Sequence, residues 1–273
     1  MFGTYLTNVR ETNPLVHCIT NFVTVNDCAN IVLACGGSPT MAHHEDETAE
    51  ITSGCKSLVL NMGNVQDVQA MINAGIAANR LSHPVILDPV GVGASTLRKN
   101  VFKELSSSFQ ISVIRGNASE IKSLATGAAT ASGVDAAKED RITEESVGSF
   151  ITMAKGLAAT LGCVISISGQ LDIVASADKA YVISNGCADM SRITGTGCML
   201  TSMIGAFCGA NPDHMLEATA AAVTVMGVAG DIAKEKTEAA SGGTMTFRLH
   251  MIDAVSLMDA DTLEKRGRCA EWK

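Results

Sequence analysis

Short apolar runs alternate along the chain with longer segments in which apolar residues recur every three or four positions. The short runs are typical of buried strands, and the longer segments are typical of amphipathic helices. Because strands and helices alternate, the pattern predicts an α/β fold with a mostly parallel central sheet flanked by helices on both faces. The predicted strands are residues 15–19, 57–61, 84–88, 111–115 and 163–168, with 38–41 extended, and the predicted helices are residues 1–12, 25–35, 65–80, 97–109, 118–125, 144–161, 218–233 and 244–257.

An antiparallel hairpin near residues 163–184 interrupts this alternation. The strand at 163–168 is followed by a turn, and two further apolar runs, 171–176 and 180–184, are close enough to pair with each other. Small and polar residues fill positions 126–141, which predicts a loop. The chain contains no internal repeat and no linker-like segment, so we expect a single domain over residues 1–273.

A glycine-rich turn follows the hairpin and leads into an apolar helix. The turn is Thr194-Gly-Thr-Gly197, and such a turn at a helix start presents free N–H groups and the positive end of the helix dipole. This predicts an anion site, most often for phosphate, although a turn that only lets the helix pack closely would have the same sequence. Cys198 falls in the first helical turn, where a thiolate is favoured. The apolar positions that define the helix are Leu200, Met203, Ile204 and Phe207.

Polar residues also occupy the carboxyl ends of the predicted strands, or positions one turn beyond. They are Asn61, Asp88, Arg115 and Asn117. In parallel sheets of this class ligands bind at the carboxyl ends of the strands, so these side chains are candidates for a common site. Each of them alone could equally be a helix cap or a turn residue.

Composition narrows the classes of function. A net charge of −8 and a pI near 5.2 argue against general binding to nucleic acid or to a membrane surface. Nine cysteines without a CxxC pair favour reduced thiols in a cytoplasmic protein. We find neither an 18-residue apolar span nor a secretory signal. Residues 43–47, His-His-Glu-Asp-Glu, invite a metal-site interpretation, but a solvated first helical turn fits them better.

Several segments together resemble the hydroxyethylthiazole kinases of the ribokinase-like fold, and the resemblance covers nearly the whole chain. The Ile-Thr-Asn21 opening, Ser38-Pro-Thr-Met41 and the cysteine that closes the glycine turn are specific to the thiazole kinases. The other matching segments are Leu58-Val-Leu-Asn-Met-Gly63, Val85-Ile-Leu-Asp-Pro-Val-Gly91, Ile114-Arg-Gly-Asn-Ala-Ser-Glu120 and Gly133-Val-Asp-Ala136.

The resemblance implies transfer of the ATP γ-phosphate to the hydroxyl of 4-methyl-5-(2-hydroxyethyl)thiazole, with Mg²⁺, in thiamine biosynthesis and salvage. It further implies a homotrimer with active sites at subunit boundaries. The resemblance implies that Asp88 and Glu120 bind the metal, directly or through water, since their carboxylates are hard oxygen ligands. The nucleotide contacts implied by the resemblance are Arg115, Asn117, Ser168 and Gly197.

On the acceptor side, the resemblance places Asn21 and Met41 against the thiazole and the backbone of Gly195 near the substrate hydroxyl. Cys198 stands where most ribokinase-like enzymes carry an aspartate base. A loose transition state leaves the alcohol protonated until late, so we expect Cys198 to position the hydroxyl as much as to deprotonate it. The chain departs from the family pattern at Gln170, a position where the family commonly has an acidic residue. If that acidic residue contributes to metal binding in the family, we expect this protein to bind the metal more weakly.

Two other functions remain open from the sequence. One is a related vitamin kinase acting on hydroxymethylpyrimidine, against which Cys198 and the Ser38–Met41 segment argue. The other is a non-catalytic thiazole or nucleotide sensor, against which the intact set of acidic residues, arginine and glycine turn argues. A Rossmann dehydrogenase fits worse, because no glycine fingerprint follows the first strand.

Overall fold

A nine-stranded sheet forms the centre of the part of the chain described by the computed structural model, residues 2–127 and 141–273. The strand order is β2-β1-β3-β4-β5-β6-β7-β8-β9; the pairs from β2 to β6 are parallel and those from β6 to β9 antiparallel. The strands are β1 Leu15–Ile19, β2 Ser38–Thr40, β3 Ser57–Asn61, β4 Val85–Asp88, β5 Val113–Asn117, β6 Val164–Ser168, β7 Asp172–Ala175, β8 Ala180–Ile183 and β9 Cys269–Glu271. The predicted mostly parallel sheet with a late antiparallel hairpin is therefore confirmed. The single-domain assignment stays a prediction, and most of the predicted loop at 126–141 lies outside the described residues.

Helices cover both faces of the sheet. Helices α1, α2, α8 and α9, with α10 outside them, enclose one hydrophobic cluster, and α4 to α7 enclose the other. The helices are α1 Gly3–Thr12, α2 Val25–Cys35, α3 Thr48–Ser53, α4 Val68–Arg80, α5 Thr96–Ser108, α6 Ala118–Thr126, α7 Val147–Leu161, α8 Thr196–Ala210, α9 Met215–Ala239, α10 Thr244–Leu257 and α11 Ala260–Arg266.

The continuous apolar strands are explained by this double coverage. Val59 faces the α8 side of the sheet, whereas its neighbours Leu58 and Leu60 face the α4 side, and all three are fully buried. Because successive side chains alternate between faces, a strand buried on both must be apolar at every position. Burial on both faces leaves only the strand ends for polar chemistry.

Several element boundaries differ from the prediction, most of all those of α9, which spans Met215–Ala239 and not 218–233. Strand β5 begins at Val113 and runs to Asn117, so Arg115 lies in the middle of the strand rather than at its end. Helices α4 and α7 begin later than the apolar spacing indicated, because side-chain turns hold the residues before them. Asn64 accepts a bond from the Gln66 N–H (3.0 Å), and Ser146 Oγ accepts one from the Thr143 N–H (2.9 Å).

The carboxyl-terminal segment adds two elements that the pattern did not predict. The short helix α11 is capped by Asp259, whose carboxylate accepts from the Thr262 N–H at 2.7 Å. Strand β9 then pairs antiparallel with β8, extending the sheet by one strand. A three-residue edge strand carries too little periodicity to be recognised in isolation.

Helix α9 is 25 residues long and contains an 18-residue apolar window, contrary to the expectation from the sequence, so by length and composition alone it could cross a membrane. In the fold, 72% of its most apolar 18-residue window is buried, and it packs against α8, α10 and the antiparallel strands. These contacts are those of a core helix, and they explain why α9 is rich in alanine, since small side chains let a central helix approach the sheet closely.

Phe207→Ala is expected to destabilise the fold by about 3–5 kcal/mol, because Phe207 is the largest fully buried side chain and its removal leaves a cavity in the α8 core. The measurement is urea unfolding followed by far-UV circular dichroism. Leu33→Ala serves as the control, since Leu33 is 57% exposed. A Phe207→Ala protein with the urea midpoint of the native protein would contradict the assigned core.

Candidate active site

Polar side chains meet at the carboxyl edge of the parallel strands. Asn61 and Asp88 end β3 and β4 and lie directly opposite each other in register, and Asn117 and Ser168 do the same at the ends of β5 and β6. The start of α8 lies against this edge, because Thr201 on its second turn donates a hydrogen bond to the Asp88 carboxylate at 2.8 Å. The topology therefore brings together residues that are more than a hundred positions apart in sequence.

The glycine turn at the start of α8 requires glycine at two positions. Gly195 caps the helix with φ of +88°, a left-handed conformation that other residues rarely adopt, and a Cβ there would lie 2.8 Å from Thr24 Cγ2. A Cβ on Gly197 would lie 2.4 Å from Nη1 of Arg115. The guanidinium therefore lies directly against the turn. The cationic side chain and the N–H groups of the first helical turn can thus contact the same anion.

Arg115 is 92% buried, which is unusual for an arginine. Its Nη2 donates to Ser168 Oγ, its Nη1 lies 3.6 Å from Asp88 Oδ2, and its Nε has no hydrogen-bond partner within the described residues. One carboxylate oxygen at 3.6 Å leaves a buried guanidinium under-satisfied. Such a group is suited to receiving an anion with several oxygens.

Asp88 is the most deeply buried carboxylate of the site, with 1% of its surface exposed. Its Oδ2 accepts from Thr201 Oγ1 and from Asn61 Nδ2 (3.2 Å), while its Oδ1 is buried without a partner in the described parts of the chain. Burial raises the pKa of Asp88, and the nearby Arg115 opposes that rise. An orphaned buried carboxylate oxygen is a feature expected of a group that completes its bonding with a bound cation.

Glu120 also forms a structural cap. Its two oxygens accept from the backbone N–H groups of Gly91 and Asn117, each at 2.8 Å, and the Asn117 side chain accepts in return from the Glu120 N–H at 2.9 Å. This reciprocal pair is a capping box at the start of α6, so the capping alternative for both residues is realised in the structure. Burial, and secondly the charge of Asp88, raise the pKa of the Glu120 carboxyl to about 7.

These carboxylates fit a divalent cation. Asp88 offers an unpartnered oxygen, and a cation held by Asp88 and Glu120 would offset the negative charge of Asp88, which after burial is the second cause of the raised Glu120 pKa. Within residues 2–127 and 141–273 no group of three or more His, Cys, Asp or Glu side chains could hold a metal alone. A cation here must complete its shell with water and ligand oxygens, which is the preference of Mg²⁺.

Cys198 lies in the first turn of α8, as predicted, but it does not favour a thiolate. Its Sγ accepts from Nδ2 of Asn61 (3.3 Å) and of Asn21 (3.5 Å). Burial, and then the charge of Asp88, raise the pKa of the thiol to about 11. The helix N-terminus is therefore outweighed by desolvation and by a neighbouring negative charge, and Cys198 is a neutral thiol at physiological pH.

Asn61 connects the two halves of the site. Besides its bonds to Asp88 and Cys198, its Oδ1 accepts from Asn21 Nδ2 at 3.1 Å and from the Gly63 N–H at 2.8 Å. The sequence marked Asn61 only as a polar strand end and gave no indication of this central role. Its position at the end of a predicted strand, as for Asp88 at the end of the next one, was the one available signal.

Thr201 and Asp172 were missed by sequence reasoning. Thr201 lies one helical turn after Gly197 and so faces the same side, a spacing that could have identified it. Asp172 accepts from the Gly169 N–H at 2.9 Å, and burial raises its pKa to about 7. It lies two residues after Gln170, so an acidic side chain does lie near the position where Gln170 departs from the family pattern.

Met41 stands apart from this network. It follows the edge strand β2, is partly buried and packs against the hydrophobic cluster on the α8 side of the sheet. The histidines at 43 and 44 precede α3 as predicted, and His43 Nδ1 lies 3.6 Å from Asp67 Oδ2. Within the described residues they belong to no candidate metal cluster.

Comparisons with known proteins place this geometry in a family. A sequence model of the hydroxyethylthiazole kinase family matches residues 6–261. A hydroxyethylthiazole kinase of Clostridium acetobutylicum is 49% identical over 265 residues, with 96% of this chain and 97% of that protein covered. The structure of the Pyrococcus horikoshii hydroxyethylthiazole kinase superposes with a TM-score of 0.86 at 30% identity, with 100% and 99% of the two chains covered.

The fold itself is shared more widely. A ribokinase-like protein of Enterococcus faecalis matches with a TM-score of 0.56 at 13% identity, with 92% of this chain and 90% of that chain covered, which supports the fold class and nothing further. The predicted ribokinase-like fold is thus confirmed, and so is the predicted family. With its glycine turn, buried arginine and strand-end carboxylates in place, the chain belongs to the hydroxyethylthiazole kinase family.

Proposed function

We propose that this protein transfers the γ-phosphate of ATP to the hydroxyl of 4-methyl-5-(2-hydroxyethyl)thiazole, forming the thiazole phosphate used in thiamine biosynthesis and salvage. The observation that carries the proposal is the buried, under-satisfied Arg115 guanidinium lying against Gly197, beside the orphaned oxygen of Asp88. In this proposal a phosphate-sized anion site lies next to a cation site. Phosphoryl transfer needs both, because its catalysis is mainly positioning and charge stabilisation.

Arg115, Ser168 and the turn at Gly195–Gly197 hold the nucleotide phosphates in this proposal. The N–H groups of the turn and the guanidinium are fixed before the ligand arrives, so they stabilise developing charge without reorganising. Asn117 anchors the same edge through its capping box with Glu120. Buried donors act in a low dielectric, which strengthens their interaction with the transferred phosphoryl group.

A divalent cation, which we propose to be Mg²⁺, would be held by Asp88 directly and by Glu120 through water. Glu120 already accepts two backbone bonds, so a bridging water suits it better than direct coordination. When bound, the cation neutralises charge on the phosphate oxygens. Asp88 and Glu120 orient it, and Asn61 and Thr201 fix the Asp88 carboxylate.

The acceptor alcohol would lie near Asn21, Gly195 and Cys198. The neutral thiol of Cys198, held by the amides of Asn21 and Asn61, orients the hydroxyl toward the phosphate. Proton release from the alcohol comes late in a loose transition state, so a strong base is not required. This assigns Cys198 a positioning contact with the substrate.

Cys198→Ala is expected to lower kcat by less than about 10²-fold, below the usual range for loss of a general base. Cys198→Asp is expected to remain active. Because the pKa of the thiol is raised to about 11, the pH dependence of kcat between pH 7 and 9 is expected to be the same for the native protein and for Cys198→Ala. Complete loss of turnover in Cys198→Ala with intact ATP binding would contradict the positioning role.

We further propose a cytoplasmic homotrimer with active sites at subunit boundaries. Phe22 and Val23, next to Asn21, are 71% and 73% exposed, so apolar surface lies beside the proposed acceptor site. Met41 directly follows the edge strand β2 and is partly buried, which fits a thiazole contact made at a subunit boundary. Sedimentation velocity tests the assembly.

The experiment that tests the function measures ADP release from ATP and Mg²⁺ with hydroxyethylthiazole in one reaction and hydroxymethylpyrimidine in another. Thiazole-dependent ADP release is the expected result. Turnover with the pyrimidine alone would keep the kinase activity and replace the substrate. A folded, ATP-binding protein inactive with both alcohols would favour the sensor alternative.

A further inference from the structure

Arg98, in the first turn of α5, has an unusual set of hydrogen-bond partners. Its guanidinium has no carboxylate partner in the parts of the chain that the structure describes, and instead donates to three backbone carbonyl oxygens. Nη1 bonds the carbonyls of Met62 and Val90 (2.9 Å to the latter), and Nη2 bonds the carbonyl of Gly63 at 3.2 Å. The planar fork of arginine can make such divergent bonds from one rigid group.

The three acceptors belong to two different loops. Met62 and Gly63 directly follow β3, and Val90 lies two residues after the end of β4. The arginine itself is held in place, because the Arg98 N–H donates to the N-cap side chain Ser95 Oγ at 3.3 Å. One side chain therefore ties both loops to the start of α5.

Each of these loops holds one side chain of the candidate site. The Gly63 N–H donates to Asn61 Oδ1 at 2.8 Å, which fixes the face of the amide that donates to Asp88 and Cys198. The Gly91 N–H, one residue after Val90, donates to Glu120 Oε1 at 2.8 Å. A shift of the loops would rotate Asn61 and release one oxygen of Glu120.

We propose that Arg98 is a positioning residue for the phosphoryl transfer, acting through Asn61 and Glu120 without touching either substrate. The inference rests on the proposed kinase function. Lysine is expected to replace the arginine only in part, because its shorter side chain carries one nitrogen and lacks the second one, which bonds Gly63 while Nη1 bonds Met62 and Val90. The charge at position 98 is therefore insufficient, and the geometry of the guanidinium is required.

The test compares Arg98→Lys and Arg98→Met with the matched control Lys99→Met, measuring steady-state kinetics well below each melting temperature. Lys99 is the adjacent residue, and among the described residues its ammonium donates to one surface carbonyl, that of Gly127, at 3.0 Å. Both Arg98 variants are expected to lose about 10²-fold in kcat, the scale of an ångström-level misplacement of catalytic groups, with little change in the KM for ATP. Lys99→Met is expected to keep the native kcat.

The outcomes separate positioning from stability. A purely structural role would lower the melting temperature and leave kcat per folded molecule unchanged, so native kcat in folded Arg98→Met or Arg98→Lys would overturn the inference. If Arg98→Met does not fold, Arg98→Lys, which keeps the charge and most of the side-chain length, decides alone. Absence of thiazole-dependent turnover in the native protein would refute the kinase function itself, which is a distinguishable result.

Discussion

Asp88→Asn is expected to lower kcat/KM by at least about 10³-fold, since a metal-positioning carboxylate contributes several kcal/mol of charge stabilisation to the transition state. The neutral amide keeps the shape of the side chain and its bond to Thr201, while it removes the charge that would hold a cation. The apparent affinity for Mg²⁺ should fall together with the rate. Steady-state kinetics over a range of Mg²⁺ concentrations measures both effects.

The stability of the same variant should change in the opposite direction. Burial raises the pKa of Asp88 in the folded state, so the fold favours the protonated carboxyl over the ionised one. The contribution of Asp88 to stability is therefore fully present at low pH and is lost as the pH rises through the folded pKa. At neutral pH the melting temperature of Asp88→Asn should therefore equal or exceed that of the native protein. Asp231→Asn is the control, because Asp231 accepts from Asn185 Nδ2 (2.8 Å) away from the site. Full activity of Asp88→Asn would contradict the metal assignment.

Gly197→Ala is expected to lower kcat/KM by about 10²-fold or more, because the new Cβ would lie 2.4 Å from Nη1 of Arg115 and must displace the guanidinium. The helix itself tolerates alanine, so the effect should fall on phosphate binding and transfer, with a raised KM for ATP. Steady-state kinetics with ATP as the varied substrate measures it.

The matched control for that substitution is Gly156→Ala in α7, where a Cβ would meet no atom of the described residues within 4 Å. Alanine at a helical site of this kind should stabilise the protein by about 0.5–1 kcal/mol and leave activity unchanged. Equal kinetics for Gly197→Ala and Gly156→Ala would show that Arg115 is not required against the turn.

The order of strands and helices could be predicted from the sequence because burial on both faces forces nearly continuous apolar strands, a strong local signal. The boundaries that failed depend on partners far away in the chain. Strand β5 extends to Asn117 because β6 pairs with it as far as Ser168. That register is set by tertiary pairing and leaves no periodicity in the sequence.

The sequence indicated the charged residues of the candidate site more clearly than the neutral ones. Asp88 and Arg115 stand out in apolar runs, where a buried charge must have a function or a partner. Asn61 looks like any polar residue at a strand end, and its central position among Asn21, Asp88 and Cys198 follows only from the packing of α8 on the sheet. The raised thiol pKa likewise depends on burial and on the distance to Asp88, neither of which a linear motif encodes.

The most direct test of the central claim follows the reaction of the native protein with ATP, Mg²⁺ and hydroxyethylthiazole by ³¹P NMR, with Asp88→Asn in parallel. The account predicts that a phosphomonoester resonance and ADP appear in equal amounts with the native protein, and that both are nearly absent with the variant. ADP accompanied by inorganic phosphate alone, or a phosphomonoester formed at the native rate by Asp88→Asn, would contradict it.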